Sequence, residues 1–141
     1  AAGPDLIKPN TEELAELTGG ALTTWGDVAK HAQSLRDSGV ATVLVSLGED
    51  GALLVDADGV RRATAPAVDV RSTVGAGDST LAGFLAAGAA GDQALRTAVA
   101  FGTAAVTLPG SAMPGPEDIL PDLVTVEDDP DLSHQLKGGV A

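Results

Sequence analysis

The sequence has no cysteine and no tyrosine, and its aromatic residues are Trp25, Phe84 and Phe101. Without thiols there is no disulfide framework and no thiolate metal site, which fits a cytoplasmic chain. With so few rings, the core has to be packed from Leu, Val and Ala. Bases are scarce as well: 8 Lys and Arg stand against 20 Asp and Glu, a formal net charge of −12. A field of that sign argues against nucleic acid or an anionic membrane surface as a partner. It also repels phosphate, so a nucleotide would have to be held by local amides and a metal ion. No run approaches the roughly 18 apolar residues of a membrane span, and the first residues do not read as a signal peptide. The chain opens on Ala1 rather than Met, close to a first strand, and reads as a piece of a longer protein.

What is present is 141 residues, long enough for one domain with a real core. Asp5 to Asn10 reads as a short strand that ends at Pro9. Thr11 to Thr18 follows as a helix, with Leu14 and Leu17 on one face and Gly19-Gly20 as its stop. Asn10 is placed to cap it, and Glu13 stands where the carboxylate of a capping box sits. Thr24 to Asp37 carries Trp25, Val28, Ala32 and Leu35 at helical spacing, with His31 on the wet side. Ala41 to Ser46 is a continuous apolar strand, of the kind covered on both faces. Acidic, glycine-bounded turns then lead into strands Ala52 to Val55 and Val60 to Ala63, a β-meander. A helix to about Ala90, a fresh cap at Gly91-Asp92 and a long helix from Gln93 to about Thr107 come next. Leu108 to Pro116 is an irregular loop and Asp122 to Val126 an edge strand. Seven acids without a base between Glu117 and Asp131 read as a solvated surface. The order predicts a three-layer α/β domain around a mostly parallel sheet over 1–126, with an acidic, loosely ordered tail over 127–141.

The stretch that carries chemistry is Thr73-Val74-Gly75-Ala76-Gly77-Asp78-Ser79-Thr80, which runs into the apolar Leu81 to Leu85. Gly75 and Gly77 let the backbone turn tightly and approach a ligand with no Cβ in the way. Asp78, Ser79 and Thr80 are helix-starting residues, so Asp78 is expected in or just before a first turn. The unpaired N–H groups and partial positive charge of that turn attract an anion. Such a loop cradles phosphate oxygens beside one carboxylate, an arrangement suited to phosphoryl transfer. A Rossmann fingerprint would need glycine where Thr80 stands, and a Walker loop would need a lysine that is absent. On these residues alone, a plain capped helix after a tight turn is an equal reading.

The full string closely resembles the signature of the ribokinase-like sugar kinases, the B-type phosphofructokinase family. Two earlier motifs, Lys8-Pro9-Asn10-x-x-Glu13 and Ser46-Leu47-Gly48-Glu49-Asp50-Gly51, are similar to that family's in the same order. The resemblance implies a ribokinase-like α/β/α fold, of which this chain is the C-terminal half without its β lid. It implies Asp78 as the base for the sugar hydroxyl and the amides of Gly75, Ala76 and Gly77 as an anion hole. Ser46, Leu47, Gly48, Glu49, Asp50 and Gly51 would contact ATP together with Gly77 and Asp78. Asn10 and Glu13 would help place Mg²⁺, and Asp69 would lie near a monovalent-cation site. Residues 98–106 and the loop 108–116 would border the nucleotide. Within the family the strings are most similar to the branch that converts fructose 1-phosphate to fructose 1,6-bisphosphate, with tagatose-6-phosphate kinases next. A homodimer through the missing lid is implied for the full-length protein. The family's sugar-binding acids lie in the half not present here. A non-catalytic nucleotide-binding fragment is therefore the reading of another class, and an α/β scaffold without ligand a third.

Overall fold

Capping chemistry sets where the first helices begin. The computed structural model describes residues 6–66, 76–107, 121–128, 130–133 and 135–140. Strand β1 (Leu6–Ile7) leads to helix α1 (Thr11–Thr18), where the Glu13 N–H donates to Asn10 Oδ1 at 2.8 Å and the Asn10 N–H to Glu13 Oε1 at 3.1 Å. After β2 (Leu22–Thr24), helix α2 (Trp25–Asp37) repeats the device: the Asp27 N–H donates to Thr24 Oγ1 and the Thr24 N–H to Asp27 Oδ2, each at 3.1 Å. The Thr23 N–H and hydroxyl also donate to Asp27 Oδ2, both at 2.9 Å. These donors, the Thr23 N–H foremost, hold the Asp27 carboxyl below its ordinary range.

Strands β3 (Thr42–Ser46), β4 (Ala52–Asp56), β5 (Gly59–Thr64) and β6 (Thr125–Asp128) join β1 in a sheet of order β1-β3-β4-β5-β6. The β1–β3 pair is parallel, Ile7 opposite Val43, and the β3–β4 pair antiparallel, Leu44 opposite Leu54. A second, two-stranded sheet pairs β2 antiparallel to β7 (Gln135–Val140), from Leu22 against Val140 to Thr24 against Gln135. Alternation along the central strands sorts their side chains. Val43, Val45, Leu53 and Val55 join Leu14, Leu22, Trp25, Val28 and Ala32 in one buried cluster. Leu44 and Leu54, of the opposite parity, are fully buried too. Each such side chain contributes about 1.5–3 kcal/mol on leaving water.

The chain divides into two compact units, Ala1–Arg62 with Glu127–Ala141 and Ala63–Val126, and the boundaries fall within β5 and β6. Within the first, Arg62 reaches the late segment: its Nη1 donates to the Asp131 carbonyl and its Nη2 to Glu127 Oε2, both at 2.8 Å. Its guanidinium lies 5.2 Å from the centre of the Trp25 ring. The second unit holds the helical hairpin of α3 (Ala76–Ala86) and α4 (Gly91–Val106). The two helices pack closely because Gly83 carries no side chain: a Cβ there would stand 2.8 Å from both Phe101 Cγ and the Thr97 carbonyl oxygen. Phe84, Leu95 and Ala98 are buried around that contact. Arg96 donates to the Val124 carbonyl.

The α/β class, both early helices and the meander stand as expected, with corrections at several edges. Thr24 is the cap of α2 rather than its first residue, and β2 before it was not anticipated. Helix α3 ends at Ala86, and α4 starts at Gly91 behind Ala90, which makes no side-chain cap. Asp92 instead lies in the first turn of α4. His31 is not on a wet face but half-buried, its Nδ1 against Thr18 Oγ1. The Thr18 hydroxyl donates to the Leu14 carbonyl at 2.8 Å, so it accepts from His31 Nδ1–H. The stretch after Glu127, expected to be loosely ordered, contains β7, whose Leu136 is part of the buried cluster. That apolar anchor outweighs the acidic composition around it. Among the described residues no helix is long and apolar enough to cross a membrane.

Candidate functional site

At the carboxyl ends of β1 and β3, two of the motifs meet. The Ser46 N–H donates to the Pro9 carbonyl at 3.0 Å, and Asn10 forms a parallel bridge to Ser46. The capped start of α1 and the turn after β3 are thereby neighbours in the first unit. The ends of parallel strands are where open α/β sheets hold their ligands. Pro9, which ends the first strand and belongs to the first motif, supplies the carbonyl that joins the two motifs.

The turn itself is a single 3₁₀ turn, Gly48–Asp50. The Leu47 N–H donates to the Gly51 carbonyl at 2.8 Å, the Asp50 N–H to the Leu47 carbonyl at 3.0 Å and the Gly51 N–H to the Gly48 carbonyl at 3.2 Å. Gly51 has φ +101°, which depends on the absence of a Cβ, and Gly48 has φ +58°, in the left-handed region that glycine enters freely. Gly48 is exposed, and a Cβ built there would meet nothing within 4 Å. A ligand could come against its backbone from that side. Leu47, by contrast, is buried and roots the turn in the core.

Asn10 and Glu13 are exposed oxygen donors, held by the capping box through one oxygen each. Among the described residues no three His, Asp or Glu side chains gather as a metal cage. Oxygen ligands are the kind Mg²⁺ takes, commonly one or two from protein with the rest from water and phosphates. The donor set therefore fits the ion through one or two contacts.

In the second unit, helix α3 opens at Ala76 with Asp78 in its first turn, and Asp78 is exposed. Asp78 thus stands in the turn whose N–H groups have no partner within the helix and carry its partial positive charge. Gly77 lies inside the helix, so the turning freedom expected of it is not used; what it supplies is a bare backbone. Ser79 and Thr80 turn inward and are buried. In α4, Ala98, Ala100, Ala104 and Ala105 are buried small residues. Gly75, Asp69 and the loop 108–116 lie outside the described residues.

A family model described as pfkB family carbohydrate kinase matches residues 1–118, ending before β6 and β7. A 1-phosphofructokinase of Haloferax volcanii is 44% identical over 125 residues, covering 86% of this chain and 41% of the relative. An ATP-dependent 6-phosphofructokinase isozyme 2 of Escherichia coli is 41% identical over 118 residues, 81% of this chain and 38% of the relative. Other 1-phosphofructokinases match at 38% and 49% identity. The crystal structure of Escherichia coli phosphofructokinase-2 in complex with potassium superposes with a TM-score of 0.76 at 39% identity, over 83% of this chain and 39% of that one. The chain therefore spans about two fifths of the length of these relatives.

Proposed function

Because the chain belongs to the pfkB family of carbohydrate kinases, we propose that it forms the nucleotide-binding and base-bearing part of an ATP-dependent sugar-phosphate kinase. The observation that carries this reading is Asp78 in the exposed first turn of α3, straight after the Gly-Ala-Gly string. Asp78 takes the proton of the acceptor hydroxyl as that oxygen bonds to the γ-phosphorus of ATP and the bond to ADP breaks. The amides of Gly75, Ala76 and Gly77 hold the charge that spreads over the transferring phosphoryl oxygens. Such catalysis is mainly positioning and electrostatic stabilisation. Ser46 to Gly51 holds the nucleotide through backbone approach at Gly48. Asn10 and Glu13 would help hold Mg²⁺, which neutralises phosphate charge when bound. A monovalent cation near Asp69, a cytoplasmic setting and a homodimer through the lid complete the proposal.

The acceptor we propose is fructose 1-phosphate, supported by 44% identity to a 1-phosphofructokinase. The 41% identity to a 6-phosphofructokinase isozyme supports fructose 6-phosphate as the second reading. Tagatose 6-phosphate is the third sugar to assay. Parallel turnover of the three by the full-length gene product decides among them. In the same assay, Asp78→Asn is expected to lower kcat by roughly 10²–10⁴-fold while leaving the KM for ATP nearly unchanged. An unaltered kcat would remove Asp78 from the base role, and a loss confined to KM would make it a binding residue.

A further inference from the structure

We propose that β7 is a positioning element for the Gly48–Gly51 turn, a strand seated by Leu136 that keeps the turn in the shape a nucleotide would meet. This rests on the nucleotide reading above. The turn has two glycines with positive φ, a conformation costly in entropy that packing from outside the turn would support. Two observations place that support in β7. The strand runs with Cα atoms within 8 Å of Gly48–Asp50 and of α1. Leu136 is buried in the same cluster as Leu47, the residue that roots the turn. The approach to the strand is fastened twice: the Gly26 N–H donates to the Leu132 carbonyl at 2.8 Å, and Arg62 holds the Asp131 carbonyl at 2.8 Å. The strand does not cover the turn, because the outer side of Gly48 is exposed with open space around it. Support from beneath with the ligand face left open describes a buttress rather than a lid. The segment lies beyond the stretch that the family model matches.

The test uses Leu136→Ser, the milder Leu136→Ala and the conservative Leu136→Met in the full chain. Amide hydrogen exchange without nucleotide is followed at Leu47, Asp50 and Gly51, whose N–H groups close the turn. Leu136→Ser and Leu136→Ala are expected to speed exchange at these amides and along 135–140 by about tenfold or more, with α2 unchanged and Leu136→Met close to the parent. A turn that keeps its protection while β7 loses its own overturns the proposal. So does an equal rise across α2 and β3, which would make Leu136 a plain core residue. Titration with MgADP is expected to show Kd raised about three- to tenfold by Leu136→Ser and restored by Leu136→Met. Tighter binding would mean that β7 covers the turn, again overturning it. A parent chain that binds no MgADP sinks the nucleotide reading, and the exchange result then decides the buttress by itself.

Discussion

Gly48 and Gly51 bound one turn, yet they tolerate different neighbours in sequence space. Gly48 sits at φ +58°, the left-handed region that Asn enters at little cost, and it has room for a side chain. Gly51 has φ +101° and ψ −131°, which no side-chain-bearing residue adopts without strain. Gly48→Asn is therefore expected to keep stability within about 1 kcal/mol, whereas Gly51→Ala loses about 1–3 kcal/mol in denaturant unfolding. Under the nucleotide reading the ranking changes in binding: Gly48→Asn weakens MgADP although it barely alters stability, because its side chain occupies the open side. An Asn variant that binds as well as the parent would move the nucleotide away from that glycine.

At the scale of elements, the caps make the sharpest predictions. Asp27 is held ionised by the donors at Thr23 and Thr24. Its lowered folded-state pKa means that it contributes stability above the ordinary carboxylate pKa of about 3.9, and loses it as pH falls through the folded value. The melting temperature of Asp27→Asn should thus lie below the parent's at neutral pH and converge on it in acid. A gap that persists at low pH would refute the assignment. In the second unit, Gly83→Ala drives a methyl into Phe101 and the Thr97 carbonyl, and the carbonyl has no freedom to move aside. A loss of about 1–3 kcal/mol is expected, read as a lower denaturation midpoint at unchanged slope. The capping box of α1, the stop at Gly19 and the helical start around Asp78 were legible because each is written within four residues; the box of Thr24 and Asp27 was not, because Thr24 also suits the helix it precedes. Strand β2 was not, since three residues carry no period. Strand β7 escaped notice because its register depends on Leu22, more than a hundred residues earlier, and its anchor Leu136 stands alone after an acidic run. The three motifs of the candidate site were readable as strings; the bridge from Asn10 to Ser46 was not, because a parallel pair leaves no mark on the sequence between its strands.

For the whole molecule, the division of labour predicts binding without turnover. The family resemblance assigns the sugar-binding acids to a half that the motifs found here do not include. Without it the acceptor hydroxyl is not held, and the roughly 7–11 kcal/mol that orientation supplies is absent. The 141 residues by themselves should titrate with MgADP yet make little bisphosphate from ATP and fructose 1-phosphate. Robust turnover would place the sugar site within them. The order of the chain has one more consequence. The first unit is made of two stretches, Ala1–Arg62 and Glu127–Ala141, separated by the whole of the second. A ribosome adds about 5–20 residues per second, so on the order of ten seconds pass between the emergence of Leu22 and that of its partner Val140. Throughout that interval the α3–α4 hairpin, built from local contacts, is free to form, whereas the earlier Leu22 and Trp25 cluster waits unsealed. In the nascent chain the cluster around Leu22 and Trp25 is thus completed only after the hairpin that separates its two stretches has been made.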